Sequence, residues 1–172
     1  MKAVAVVFAS KHGSTREIAE RIAAVMRREG VEADAFEAGD PEQLDDYDAV
    51  VLGSAVYTGR WRPEAWHFVR KHRDRLAAMP LWLFSSGPVG KGAEDAAHAA
   101  APLRVKRAAE RLGAREHVIF GGRAPEGPDA GRIARSMAKS MTPEERDARD
   151  WDVIEAWARS IAAQLTAAHT IV

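Results

Sequence analysis

Val4-Ala5-Val6-Val7-Phe8-Ala9-Ser10-Lys11-His12-Gly13-Ser14-Thr15-Arg16-Glu17 is the stretch that decides the fold. An unbroken apolar run from Ala3 to Ala9 stops at Ser10, and a helical pattern begins a few residues later. Continuous apolar character rich in Val suits a strand covered on both faces, as in a parallel sheet. The bend that follows offers the hydroxyls of Ser10, Ser14 and Thr15, the side chains of Lys11 and His12, Gly13, and free backbone N–H groups. Ser14 with Glu17 three residues on has the spacing of a capping box, which starts a helix at Ser14. Backbone donors gathered at a helix N-terminus, with the helix dipole behind them, make a phosphate site.

Spacing excludes two glycine-rich phosphate loops. Neither G-x-x-x-x-G-K-[ST] nor G-x-G-x-x-G occurs in this stretch. With one glycine, hydroxyls must supply part of the cradle, which favours a terminal monophosphate over a bridging pyrophosphate. The pattern Ser10-x-x-Gly13-x-Thr15 after a first strand resembles the FMN-phosphate loop of flavodoxins. FMN is therefore the expected cofactor, held at its phosphate by residues 10–15.

The 172 residues are enough for one domain with a full core, and no repeat, low-complexity tract or internal boundary divides 1–172. Lys+Arg and Asp+Glu are both 25, a balance that argues against nucleic acid as a partner. It also departs from electron-carrying flavodoxins, which as a family are acidic and use that charge to steer towards partners. Cysteine is absent, which removes disulfides, thiolate metal sites and thiol nucleophiles together. No apolar run approaches the roughly 20 residues of a membrane span. A cytoplasmic protein with at most peripheral membrane contact is expected, a homodimer being left open.

The first helix carries Ile18, Ile22, Val25 and Met26 inward and ends at Gly30, which suits its C′ position. Val31 to Phe36 alternates as an edge strand would, and Ala49 to Gly53 reads as a third, buried strand. A helix from Pro63 to about Met79, a strand from Pro80 to Phe84, a helix from Pro102 to Leu112 and a strand from His117 to Phe120 follow. Beyond Gly121-Gly122, a helix from Pro128 to Met141 is expected to bury Ile133, Met137 and Met141. Thr142-Pro143-Glu144-Glu145 opens a short helix, and a last helix from about Asp150 carries Trp151, Ile154, Ala158, Ile161 and Leu165 on one stripe.

Five strands alternating with helices give an α/β fold, a three-layer sandwich around a parallel sheet. The flavodoxin-like order 2-1-3-4-5 places the ligand where strands one and three diverge. The loops at Ser10, Ser54 and Ser85 then share one rim. In the second, Tyr57 and Trp61 offer flat surfaces for a flavin ring. Backbone groups at Ala55, Val56 and Gly59 reach its polar edge, with Thr58 between them, and Gly59 tolerates a peptide flip. The third, Ser85-Ser86-Gly87-Pro88-Val89, has no aromatic residue, which leaves one flavin face open to a flat substrate. Arg60 is placed to favour an anionic reduced flavin or to bind a substrate carboxylate.

The run Val51-Leu52-Gly53-Ser54-Ala55-Val56-Tyr57-Thr58-Gly59 resembles the second loop of the bacterial menaquinone-dependent protoporphyrinogen oxidases. So do Phe68 to Leu76 with Met79-Pro80, the segment Gly121-Gly122-Arg123, and Asp150-Trp151. The resemblance implies FMN and the six-electron oxidation of a porphyrinogen with a quinone as acceptor. The segment Ile133 to Met141 is more polar than the apolar, basic helix of those oxidases, and Gly87-Pro88-Val89-Gly90 departs from their third loop. Fold and cofactor transfer more safely than the reaction.

Other chemistries are disfavoured. A phosphoacceptor domain of this strand order needs an aspartate after strand three and a lysine after strand five, where Ser54 and Gly121 stand. There is no G-x-S-x-G elbow. His67 and His72 lie on different helix faces, so no metal site is expected. An FMN oxidoreductase acting on a porphyrinogen or quinone is the expected function. A module passing electrons between redox partner proteins is the alternative. No catalytic side chain is assigned.

Overall fold

The computed structural model describes residues 3–40, 44–87, 89, 101–126 and 130–168. Strands β1 (Ala3–Ala9), β2 (Glu32–Glu37), β3 (Ala49–Tyr57), β5 (Leu81–Ser86) and β6 (Glu116–Phe120) form a parallel sheet in the order β2-β1-β3-β5-β6. The two-residue β4 (Arg60–Trp61) pairs antiparallel with the end of β3. The expected order is thus present, with β4 as a short addition.

Side chains of β1 alternate between two cores. Val4, Val6 and Phe8 point to one, built with α1 (Ser14–Arg28) and α7 (Trp151–Ala167). Ala5, Val7 and Ala9 point to the other, with α2 (Pro63–Lys71), α3 (Arg73–Ala77) and α4 (Leu103–Leu112). This division is why β1 has no polar residue: neither face meets water. Each fully buried aliphatic side chain of this kind contributes about 2 kcal/mol of transfer free energy.

Three expectations change. β3 does not end at Gly53, because Ser54 and Ala55 find ladder partners in Ser85 and Ser86 of β5. The chain reaches Tyr57 and turns back through Thr58 (φ 48°) and Gly59 (φ 72°) into β4, a two-residue hairpin whose twist needs positive φ at both positions. The expected helix from Pro63 to Met79 is broken at His72 (φ −110°), which closes α2 and opens α3. Helix α5 (Arg132–Lys139) buries none of its residues. Ile133 is 79% and Met137 56% exposed, so the stripe expected in the core faces outward, and Met141 is only partly buried. The start of that helix at Pro128 lies outside the described residues. The short α6 (Pro143–Arg146) has the expected capping box between Thr142 and Glu145.

Candidate functional site

The carboxyl ends of β1, β3, β5 and β6 meet at one rim, and four close approaches join them in a circuit. The ring of His12 meets that of Tyr57 edge-on at 6.4 Å. A methyl group at Gly87 would lie 3.2 Å from Cβ of Val56. One at Gly122 would lie 2.9 Å from the carbonyl oxygen of Gly87. The backbone N–H of Arg123 donates to Ser14 Oγ at 3.0 Å. The described residues that follow four strands therefore adjoin one another at this rim.

Its floor is the turn before α1. Ser10 Oγ accepts from the N–H of Gly13 at 3.1 Å, which tightens the bend. Gly13 is the N-cap residue of α1, at φ 86°, a conformation that only glycine adopts at no steric cost. Lys11 is exposed beside it. The expected capping box does not form. Ser14 Oγ is taken by Arg123, and the carboxylate of Glu17 is taken by Arg123 and Arg149. Both halves of the box are drawn away by the segments after β6 and before α7.

Thr15 completes the floor. It is 1% exposed, and its Oγ1 has no hydrogen-bond partner among the described residues. A buried hydroxyl without a partner costs roughly 1–3 kcal/mol, so it calls for an acceptor or donor from outside the chain. A phosphate at the helix N-terminus would supply one, and the residues of this turn fit that group.

One wall is the hairpin. Tyr57 is 41% exposed, and burial pushes the pKa of its phenol up against the opposing charge of Arg62, so the ring is neutral. Thr58 is the only non-glycine residue at positive φ among the described residues, and its Oγ1 donates to the carbonyl of Tyr57 at 2.7 Å. A β-branched residue in that region stores strain. Ala55 and Val56 precede the hairpin within β3, Ala55 buried and Val56 partly so, and Gly59 is exposed at its tip. Facing Val56 stands Gly87, whose N–H donates to the carbonyl of Phe120. Pro88 lies outside the described residues.

Three residues expected on the rim are sealed beneath it. Trp61 is 4% exposed, its ring 5.5 Å from that of Trp66, so its face is not offered for stacking. Its Nε1–H donates to Ser85 Oγ at 2.8 Å. Ser85 and Ser86 belong to β5 and are buried, rather than lying on a loop. The hydroxyl of Ser85 is occupied twice, by Trp61 and by His117 Nε2 at 2.8 Å. Burial pushes the pKa of His117 down, which keeps its ring neutral.

Sequence reasoning assigned no role to Arg149 or His117 and took Arg123 only as part of a motif. The available signal for His117 was a polar residue at the head of a short apolar strand. Arg123 and Arg149 gave none, since an arginine after a strand is ordinary. In the fold they form a chain with Glu17 and Asp147. Arg149 contacts both carboxylates with its side chain only 4% exposed. Burial alone would push the pKa of Glu17 up. The hydrogen bonds and charges of Arg149 and Arg123 more than offset this and hold it below the usual carboxylate range.

No helix among the described residues is long and apolar enough to cross a membrane. Residues 5–150 match the model of the flavodoxin domain family. Over 91 residues the chain is 33% identical to the protoporphyrinogen IX dehydrogenase [quinone] of Escherichia coli K12. That segment is 52% of this chain, and the chain spans about half (50%) of the length of the curated relatives it matches. Among solved structures, a flavodoxin mutant from Pseudomonas aeruginosa superposes with a TM-score of 0.63 at 17% identity, covering 95% of this chain and 99% of that one. Rubredoxin:oxygen oxidoreductase from Desulfovibrio gigas superposes with a TM-score of 0.64 at 14% identity, covering 96% of this chain and 36% of that one. At these identities the two structures speak to the fold alone. The chain belongs to the flavodoxin domain family and is, as a member, an FMN flavoprotein.

Proposed function

We propose that the chain is an FMN-dependent oxidoreductase acting on a flat organic substrate, a porphyrinogen or a quinone. The observation that carries this reading is the one-sided rim. Tyr57 gives a single exposed aromatic face, while Gly87 stands opposite, and no Phe, Trp or Tyr occurs between Phe84 and Phe120. A ring system lying against Tyr57 would meet no aromatic side chain from the segment between Phe84 and Phe120 on its other face, which suits a second flat molecule. The balanced charge of the chain agrees, because it provides no acidic field to steer a protein partner. The likeness of half the chain to a protoporphyrinogen dehydrogenase supports the same class of substrate.

In this reading Ser10, Gly13, Ser14 and Thr15, with Lys11 and His12 at the bend, hold the phosphate of FMN at the start of α1. Backbone groups from Ala55 to Gly59 address the polar edge of its ring, and the strained Thr58-Gly59 turn adjusts to the charge on that edge. When bound, FMN supplies one- and two-electron chemistry, accepting an electron pair from one molecule and passing it to another. Each pair and its protons would leave a porphyrinogen and be delivered to a quinone, which departs as the quinol.

The test is spectroscopic, then kinetic. The protein as isolated should be yellow, release FMN on denaturation, and turn over protoporphyrinogen anaerobically with a soluble naphthoquinone as acceptor. A flavin that is reduced and reoxidised only by other proteins would instead establish the electron carrier.

A further inference from the structure

Beside the hairpin, on the side of α2 and α4, lies a cavity of about 760 Å3. It begins at Gly59 and Arg60, so it adjoins the wall that faces the flavin. The buried Trp61 and Trp66 and the 72% exposed Leu103 line it. Among the described residues three arginines line it, Arg60, Arg70 and Arg104, and no aspartate or glutamate does.

That charge is out of proportion to a chain with 25 acidic and 25 basic residues. It is also unneutralised. Among the described residues none of the three arginines makes an ion pair, whereas neighbouring Arg62 is held by Glu64 at 2.7 Å. The guanidinium of Arg104 instead sits 4.3 Å from the centre of the Trp66 ring. A cation leaning on an indole holds its charge close to apolar surface, where an arriving anion is attracted strongly and recognised by a planar fork of donors. The volume is that of a small-molecule site, with apolar walls and a few convergent polar groups.

We propose that this cavity binds a flat aromatic ligand carrying carboxylates, its rings against Leu103 and its carboxylates on Arg70 and Arg104, with Arg60 at the hairpin end. The inference deepens the proposed function, and rests on it for the claim that this ligand is the organic substrate. It separates an anionic substrate from a neutral quinone, which would leave three arginines without partners.

The experiment uses redox-inert probes, so that binding is read apart from turnover. The FMN-loaded, oxidised protein is titrated calorimetrically with naphthalene-2,6-dicarboxylate and with the uncharged diamide of the same shape. The dicarboxylate should bind at least roughly tenfold more tightly at low salt, and the gap should narrow at high salt. Arg70→Gln and Arg104→Gln should each weaken the dicarboxylate by about fivefold or more and leave the diamide unchanged. Leu103→Asp, on an exposed position that no core contact needs, should do the same by placing a like charge at the mouth. FMN content should not change in any of the three. Equal affinity for the two probes, or variants that bind the dicarboxylate as the parent does, would overturn the proposal. A protein that discriminates the probes but never oxidises a porphyrinogen would defeat the proposed function and leave the cavity standing as a ligand site. Turnover without discrimination would do the reverse.

Discussion

The guanidinium of Arg123 closes on the carboxylate of Glu17, with Nη2 2.9 Å from Oε1 and Nη1 3.0 Å from Oε2. The same guanidinium lies beside the phosphate turn, 3.9 Å from where a methyl group on Gly13 would sit. Glu17 is shared with Arg149, so the cluster keeps one cation if Arg123 is removed. Arg149 also answers Asp147, so the two arginines balance the two carboxylates, and Arg123 is placed to share its charge with an anion at the turn before α1. Arg123→Gln should weaken FMN by about tenfold, the equivalent of one charge-assisted hydrogen bond, and leave riboflavin binding nearly unaltered. Quenching of flavin fluorescence on titration with each ligand measures both. Equal losses for FMN and riboflavin would mean that Arg123 only braces the loop.

Thr15 offers a test in which two readouts move in opposite directions. Its buried Oγ1 has no partner among the described residues, so the hydroxyl costs stability until a ligand satisfies it. Thr15→Val keeps the shape and deletes the hydroxyl. The flavin-free protein should hold its melting temperature or gain up to about 1–3 kcal/mol, the cost of an unsatisfied buried group. FMN affinity should fall by roughly tenfold for the one lost hydrogen bond. If the flavin-free variant is instead less stable than its parent, the hydroxyl has a protein partner and the phosphate has been misplaced.

Why was the frame readable in the sequence, and half of the rim not? The unbroken apolar run of β1 announces a strand with two covered faces, and its side chains do divide between the two cores. Gly30 at φ 80° and Gly113 at φ 65° end their helices as their positions suggest. Such features are set by neighbours in sequence. Ser14 and Glu17 have the spacing of a capping box, yet both are claimed by residues more than a hundred positions away. Trp61, Ser85 and His117 are likewise drawn together only by the register of β3, β4, β5 and β6. Helix α5 fails differently: its stripe at Ile133 and Met137 is amphipathic as read, but periodicity cannot say whether a stripe meets a core or faces away from one.

Gly53 stands where β3 crosses the ring of Phe84 on neighbouring β5. A methyl group at residue 53 would come within 2.0 Å of Phe84 Cζ, a contact that real structures do not tolerate, and Phe84 is fully buried with no room to retreat. Gly53→Ala should destabilise the protein by about 1–3 kcal/mol through overpacking. Phe84→Leu should itself cost stability, but in combination with Gly53→Ala the two losses should sum to less than their separate values. Urea unfolding of the four proteins gives the coupling, and strict additivity would show that the ring moves aside freely.

His117 makes the fold sensitive to acid. Trp61 donates to Ser85 Oγ, and the Ser85 hydroxyl shares a second hydrogen bond of 2.8 Å with His117 Nε2, which a neutral imidazole protonated on Nδ1 accepts. Burial pushes the pKa of His117 down from its ordinary value of 6.5. The unfolded chain therefore binds this proton at a higher pH than the folded one does. The stability that His117 contributes is fully present above the unfolded value and is lost as pH falls through that value to the lower folded one. Urea unfolding between about pH 8 and pH 5 should show stability declining on the acid side in the parent, over the range in which histidines titrate. His117→Gln retains a side chain able to accept from Ser85 and has no proton to bind, so its profile should be flatter over the same range. A parent and variant with parallel profiles would place the acid sensitivity elsewhere, and would mean that the Trp61–Ser85–His117 chain accommodates an imidazolium without strain.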